Sequence, residues 1–253
     1  MAEQQALTLD AGAEAEHLHR ALVTTATAER AASERRYLKS ELEFLGTTVP
    51  DMRIAVKGWL RGHRGIGHDD LFAVVDALWQ QPVHEMRAAA IELLVLQPKL
   101  VDAGDLPWIE AHLRECATWA LVDPLAGSVA SRIMAADPSA LVVTERWLTD
   151  GEMWIRRSAV LALRDSLRGG QQLDRLLAYA DALIGETEFF IRKVLGWVLR
   201  EEAARHPEAV SAWLRRQMPA MNMVTLREPC RKLPDAAELL DAYRDQARRK
   251  RSG

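Results

Sequence analysis

The chain has 253 residues, of which 49% are hydrophobic and 27% charged, and its formal net charge is −3. This composition is typical of a globular protein and excludes a disordered chain or a collagen-like fibre. No stretch approaches about 18 uninterrupted apolar residues, so we expect no membrane-spanning helix. The N-terminus lacks a cationic start followed by an apolar core, so we expect no secretory signal. Cys116 and Cys230 match no metal or disulfide spacing, which favours a cytoplasmic protein without a metal ion.

Charge is distributed unevenly along the chain. Residues 1–34 carry 2 basic and 6 acidic side chains, residues 35–150 carry 12 and 16, and residues 151–253 carry 19 and 14. The C-terminal part is therefore the better candidate for contact with a polyanion such as nucleic acid.

Amphipathic helical periodicity recurs along the chain, and we find no alternating pattern typical of strands. The predicted helices are 12–36, 50–61, 69–81, 84–97, 106–117, 120–136, 138–149, 152–168, 171–184, 188–205, 207–218 and 234–249. Several of them begin with proline, which is tolerated there because its missing N–H has no intrahelical partner. Short connections predict antiparallel neighbours and an all-α fold.

An internal repeat lies on these helices. Segments 86–91, 155–160 and 191–196 share an apolar residue, one or two bases, and then small or apolar residues. Their spacing indicates a period of about 35 residues with two helices per unit, which is typical of an α-solenoid. Stacked repeats would align the bases on one concave face: Arg87, Arg156, Arg157, Arg192 and Lys193. The alternative is that these side chains only bind neighbouring helices.

The tryptophans fall into two groups. Five fit apolar helical faces and are predicted to pack in the core: Trp59, Trp79, Trp108, Trp147 and Trp213. Trp119 precedes Asp123 by four residues, which places both on one face if the segment is helical. Trp197 follows a glycine in the last basic segment. Large aromatic rings beside a carboxylate are suited to enclosing a sugar or a base.

Asp123 has a second interpretation. It precedes Pro124, as Asp137 precedes Pro138, and an aspartate before proline at a helix start is typical of an N-cap. Because proline disfavours the α conformation in the residue before it, a helix that begins at this point is a further possibility.

Five segments point to a known family because they occur in one order. They are Phe44-Leu45-Gly46 with Pro50 and Arg53, then residues 118–123, 154–159, 188–193 and 196–201. Through them, the chain resembles the DNA alkylation repair family of AlkD-type, HEAT-like-repeat DNA glycosylases over about residues 37–232. The most specific part is 188–207, with Phe-Phe-Ile-x-Lys-x-x-Gly-Trp-x-Leu-Arg-Glu. Residues 1–34 then form an acidic helical extension, 35–246 one repeat domain, and 247–253 a basic tail.

The resemblance implies a curved solenoid of HEAT-like antiparallel repeats that cradles double-stranded DNA on its concave face. It implies base excision repair by hydrolysis of the N-glycosidic bond of cationic purines, N3-alkyladenine and N7-alkylguanine, by a monomer without cofactor or metal. Trp119 and Trp197 match tryptophans that pack against the damaged nucleotide, and Asp123 matches the catalytic carboxylate. Arg157 matches an arginine at the DNA backbone.

Two features depart from that family pattern. Members often carry an acidic residue where this chain has Ala120, and Pro124 is unexpected after the catalytic position. Because the chain is not basic overall, phosphate contacts must come from local cations, to which we add Arg200 and Arg227. The alternative function is a non-catalytic repeat scaffold that binds DNA structures or a protein partner.

Overall fold

Helices form almost all regular structure in the computed structural model, which describes residues 9–252. Within that range no strand forms, and the backbone of Glu43 pairs with Val83 only as an isolated bridge. The all-α prediction is confirmed. Every helix in the same range is too short or too polar to span a bilayer. The chain divides into two compact units, one up to Val129 and one from Ala130 onward.

The first unit contains seven α-helices among its described residues. They are α1 (Ala11–Val23), α2 (Ala28–Leu38), α3 (Val49–Gly62), α4 (His68–Trp79), α5 (His84–Leu96), α6 (Leu106–Glu115) and α7 (Trp119–Pro124). A short 3₁₀ helix, Ala103–Asp105, precedes α6, and a π-helical segment, Leu125–Ala130, follows α7. The division between the two units falls within that π-helical segment.

The second unit, as described, continues the helical pattern. Its helices are α8 (Ser131–Ala136), α9 (Val142–Leu148), α10 (Met153–Leu161), α11 (Arg164–Arg168), α12 (Leu173–Leu183), α13 (Phe189–Ala203), α14 (Pro207–Gln217), α15 (Met223–Cys230) and α16 (Ala236–Ser252). A 3₁₀ helix, Pro138–Leu141, leads into α9.

In each unit, three neighbouring helices lie side by side in a row, and further helices pack against this row. In the first unit α5 contacts both α3 and α7, and α4 packs on α5. In the second unit α13 contacts both α10 and α15. Helix α9 packs on α10, whereas both α12 and α14 pack on α13. Every predicted site residue lies on one of these rows, on α5, α7, α10, α13 or α15.

Local sequence signals set several helix starts. The side chains of Asp10, Thr27 and Thr48 accept hydrogen bonds from backbone N–H groups in the first turns of α1, α2 and α3. Such caps each stabilise a helix by about 1 kcal/mol. Several predicted helices agree with the structure within two residues at both ends: 50–61, 69–81, 84–97, 106–117, 171–184, 188–205 and 207–218.

Other helix predictions are wrong. The predicted helix 12–36 is two helices, because Thr27 caps α2 and its N–H donates to the carbonyl of Gly46 at 3.2 Å. The predicted helix 152–168 divides into α10 and α11. The sequence also gave no sign of α15, whose last turn contains Pro229. Proline weakens a helical pattern because it lacks the N–H group that the helix needs.

The tryptophans predicted for the core are mostly there. Trp79, Trp147 and Trp213 are at most 1% exposed, and Trp59 is buried too. Trp108 is only half-buried.

A buried carboxylate fixes the connection between α2 and α3. Glu85 of α5 is 3% exposed and accepts hydrogen bonds from the backbone N–H groups of Leu45, Gly46 and Thr47, at 3.0, 2.6 and 3.3 Å. Gly46 has φ +88°, and a Cβ atom there would lie 2.1 Å from the carbonyl oxygen of Thr27. Only glycine fits this approach. The Phe-Leu-Gly segment of the family pattern therefore attaches the α2–α3 connection to α5.

Candidate active site

Trp119 and Asp123 lie on the same face of α7. The helix begins one residue after Thr118, whose hydroxyl oxygen accepts a hydrogen bond from the N–H of Ala120 at 3.4 Å. Asp123 is therefore inside the helix, one turn after Trp119, and both side chains are partly exposed. The interpretation of Asp123 as an N-cap is wrong, as is a helix that begins at Pro124.

Pro124 changes the helix immediately after the candidate carboxylate. Proline has no N–H to donate to the preceding turn. The next residue, Leu125, donates its N–H to the carbonyls of Leu121 and Val122, and the chain continues as a π-helical segment. The predicted helix 120–136 is therefore continuous in the structure but consists of α7, this π-helical segment and α8. Single π turns are frequent at functional sites.

Tyr37, near the end of α2, contacts the candidate tryptophan and was missed by the sequence reasoning. Its ring lies edge-on to Trp119, with the centroids 6.0 Å apart and the planes at 88°. The Tyr37 side chain is 72% exposed, although an aromatic ring of this size usually packs inside. The available signal was a tyrosine beside two arginines, since an aromatic ring within a basic patch is typical of nucleic-acid contact.

Arg87 of α5 is partly exposed and binds within the first unit. Its Nη1 donates to the carbonyl of Glu115 at 3.2 Å, and its guanidinium lies 5.1 Å from the ring centroid of Trp79. This geometry matches the alternative in which the repeated arginines connect helices. A contact between Arg87 and DNA stays a prediction.

Arg156 and Arg192, for which the sequence predicts equivalent repeat positions, converge on one residue of the second unit. Arg156 pairs through Nε with the Glu186 carboxylate at 2.7 Å, and Arg192 donates from Nε to the Glu186 carbonyl at 2.8 Å. Arg156 also donates to the carbonyl of Asp150 at 2.9 Å. Both arginines thus hold the connection that leads into α13.

Arg157 is 4% exposed, the most buried of the predicted DNA-binding residues. Its Nη1 donates to the carbonyl of Phe190 at 2.6 Å. The ring of Phe190 packs on Trp154 at 5.0 Å and on Phe189 at 5.4 Å, and Phe189 is 55% exposed. Arg157 therefore supports an aromatic group at the start of α13.

Trp197 is half-buried on α13, outside the tightly packed core. Its indole Nε1 donates to Oε1 of Glu201 at 2.9 Å, and the guanidinium of Arg164 lies 4.4 Å from its ring centroid. Of the two faces of the indole, one is covered by this cation.

Cations flank Trp197 on the same face of its helix, since Lys193 and Arg200 lie four residues before and three residues after it. Both bind Glu228 of α15, Lys193 at 3.5 Å and Arg200 at a short hydrogen-bond distance, and Arg231 reaches the same carboxylate at 3.4 Å. Burial raises the pKa of Glu228, but the opposing charges of these cations outweigh it and hold that pKa below its usual value.

The remaining predicted cation is Arg227, which is exposed on α15 one position before Glu228. No cluster of three or more His, Cys, Asp or Glu side chains that could hold a metal ion occurs among the residues that the structure describes.

The two rows of paired helices define an all-α helical-repeat protein. The family model described as DNA alkylation repair enzyme matches residues 18–233, so the chain belongs to the DNA alkylation repair enzyme family, and the resemblance drawn from the sequence is confirmed. Membership places the protein in alkylation repair and implies action on DNA.

A solved structure supports the fold. It is described as a predicted DNA alkylation repair enzyme from Enterococcus faecalis and matches with a TM-score of 0.75 at 22% identity. The match covers 83% of this chain and 97% of that one, which shows a common fold. The comparison with curated proteins found no match.

Proposed function

We propose that the protein is a monofunctional DNA glycosylase that removes cationic alkylated purines, N3-alkyladenine and N7-alkylguanine, from duplex DNA in base excision repair. One observation supports this proposal above the others. Trp119 and Asp123 are partly exposed and one helical turn apart, and neither belongs to the core or to a helix cap. An aromatic ring and a carboxylate at this spacing suit contact with a sugar that develops positive charge.

The chemistry requires little from the protein. Alkylation at N3 or N7 gives the purine a positive charge, so the base leaves with the electron pair of the N-glycosidic bond and becomes neutral. The deoxyribose then acquires oxocarbenium character at its anomeric carbon, which the Asp123 carboxylate stabilises. A water molecule adds to that carbon, and the proton that it loses passes to Asp123 or to solvent. The products are an abasic site and the free alkylpurine.

DNA binding in this proposal comes from cations on the helix rows. Lys193 and Arg200 flank Trp197, and Arg227 is exposed on the neighbouring helix. Each lysine or arginine that neutralises a phosphate releases counterions, so affinity depends on salt. Arg157 has little exposed surface, and we expect it to contribute less affinity than Arg227.

A non-catalytic scaffold is the second candidate, and a specific observation favours it. Arg156, Arg157 and Arg192 all donate to backbone carbonyls within the second unit. Arginines used in this way stabilise the repeats and leave fewer N–H donors for DNA phosphates than the sequence pattern suggests.

Base release from methylated duplex DNA separates the two candidates. We expect wild type to release 7-methylguanine and 3-methyladenine, and Asp123→Asn to lose at least about 100-fold of that rate with an unchanged melting temperature. Asp137→Asn is the matched control, because Asp137 also precedes a proline but caps the helix Pro138–Leu141. Release by wild type no faster than the spontaneous rate would reject the glycosylase and leave the scaffold.

A further inference from the structure

Trp197 is part of a closed network of three side chains. Its indole N–H donates to Oε1 of Glu201 at 2.9 Å. The guanidinium of Arg164 lies 4.4 Å from the ring centroid and donates to both oxygens of the same carboxylate, at 3.0 and 3.3 Å. Each member therefore contacts the other two.

The network joins two helices and is mostly removed from water. Glu201 lies four residues after Trp197 on α13, whereas Arg164 is the first residue of α11. The exposed fractions of the Arg164 and Glu201 side chains are 11% and 27%. A guanidinium held over an indole is more strongly attracted when both are desolvated. The indole therefore has a fixed orientation and does not turn freely at the surface.

The network also limits which surfaces of the Trp197 ring a ligand can contact. Because Arg164 covers one face of the ring, only the other face and the ring edge remain for a nucleotide. The Glu201 carboxylate balances the charge of Arg164, so the ring is not made repulsive to a sugar that develops positive charge. An unbalanced guanidinium at this distance would oppose that charge.

We propose that Arg164 and Glu201 are positioning residues that hold the Trp197 indole in the orientation needed against the damaged nucleotide. This inference rests on the proposed function, in which Trp197 contacts that nucleotide. The two residues act through the indole and do not themselves touch DNA. The competing role is a purely structural link between α11 and α13.

A double-mutant cycle distinguishes these roles. Arg164→Met keeps the unbranched first part of the side chain and removes the guanidinium with its charge, and we expect the single-turnover rate of base release to fall about tenfold. In a Trp197→Phe background, which lacks the indole N–H, the same substitution should lower the rate less than twofold. An equal loss in both backgrounds, or no loss in wild type, would overturn the inference.

Two further variants guard against a loss caused by misfolding. Arg175→Met removes the Arg175–Glu145 ion pair, which is 2.6 Å long and contains no indole, and it should leave the rate unchanged. Glu201→Gln keeps an acceptor for the indole but loses the charge that balances Arg164. Its rate should fall in wild type and stay within twofold in the Trp197→Phe background.

A spectroscopic readout tests the positioning without any activity. With ¹⁵N-labelled tryptophan, the indole N–H signal of Trp197 is assigned as the signal that is lost in Trp197→Phe. It should shift in Arg164→Met and in Glu201→Gln, and stay in place in Arg175→Met. An unmoved signal overturns the positioning role. If wild type releases no base, the proposed function fails, and this spectrum alone decides whether the network holds the indole.

Discussion

Gly196 of α13 and Glu228 of α15 approach each other so closely that a side chain at Gly196 would fit only if its neighbours moved by a few tenths of an ångström. A Cβ atom at Gly196 would lie 3.1 Å from Cβ and 3.2 Å from Cγ of Glu228, and 3.2 Å from the carbonyl oxygen of Val224. This approach brings the Glu228 carboxylate to Lys193 and Arg200, on either side of Trp197. The glycine before the tryptophan thus organises the charged surface around it.

Gly196→Ala is expected to destabilise the protein by about 1 kcal/mol. Within a helix, replacing glycine by alanine stabilises the folded state by about 1 kcal/mol. Overpacking of the added methyl group against α15 costs about 1–3 kcal/mol. Urea unfolding measures the balance. Gly58→Ala is the control, because a Cβ atom there meets only the end of the Arg61 side chain at 3.6 Å, and it should stabilise the protein. If both variants are more stable than wild type, α15 moves away from the added methyl group without a cost in folding free energy.

The Glu228 carboxylate should contribute stability that depends on pH. Its folded pKa lies below the usual value, so the contribution is fully present above the unfolded pKa, about 4.3. It is lost as the pH falls through the lowered folded pKa. Glu228→Gln should therefore be less stable than wild type at pH 7, and the difference should shrink below about pH 4.3.

Glu202→Gln is the opposite case and serves as the control for this pH dependence. Glu202 is 1% exposed, and its burial raises its pKa. Ionisation of Glu202 then costs folding free energy as the pH rises, so the stability of Glu202→Gln relative to wild type should increase with pH. Urea unfolding between pH 3.5 and 7 measures both trends, and parallel trends in the two variants would contradict this account.

The sequence predicts the helices well where the deciding signal is local. Thr48 and Pro50 define the start of α3, and His206 with Pro207 defines that of α14. At Asp123 the local signals conflict, because an Asp-Pro pair is compatible with an N-cap as well as with a position inside a helix. The structure resolves the conflict through Thr118, which caps the helix five residues earlier.

Contacts between distant residues gave no sequence signal. Tyr37 reaches Trp119 and Arg164 reaches Trp197, and no spacing predicts either pair. The roles of these two tryptophans follow from residue type and resemblance, whereas the groups that hold them are visible only in the structure.

One spacing that does recur was overlooked. Trp59 and His63, and likewise Trp108 and His112, are four residues apart, and their rings stack with centroids 4.0 and 3.6 Å apart. In both pairs the histidine Nδ1 hydrogen-bonds to the tryptophan carbonyl, at 2.9 and 2.7 Å. The two indole N–H groups donate to carboxylates of preceding helices, Glu14 and Asp76.

Tyr37→Ala should lower base release by about tenfold and leave stability nearly unchanged. The Tyr37 ring is mostly exposed, so its removal creates no cavity, yet it is the edge contact of Trp119. Because the Tyr37 edge orients the Trp119 ring, its loss lets that ring move from the position that contacts the nucleotide, and such misplacement lowers the rate. Tyr37→Phe keeps the ring and should retain most of the rate. Single-turnover kinetics and thermal unfolding measure the two effects, and a loss of stability that matches the loss of rate would contradict a local role.

Arg227→Gln should weaken DNA binding and reduce its salt dependence. Each phosphate contact contributes about −0.9 to the slope of log affinity against log salt concentration, so the slope should fall by about one unit. Arg216→Gln is the matched control, because Arg216 is an exposed arginine of α14 that lies 3.4 Å from Asp181. Fluorescence anisotropy with undamaged duplex DNA at several salt concentrations gives both slopes. If the two variants reduce the slope equally, net charge accounts for the effect and α15 has no specific contact with DNA.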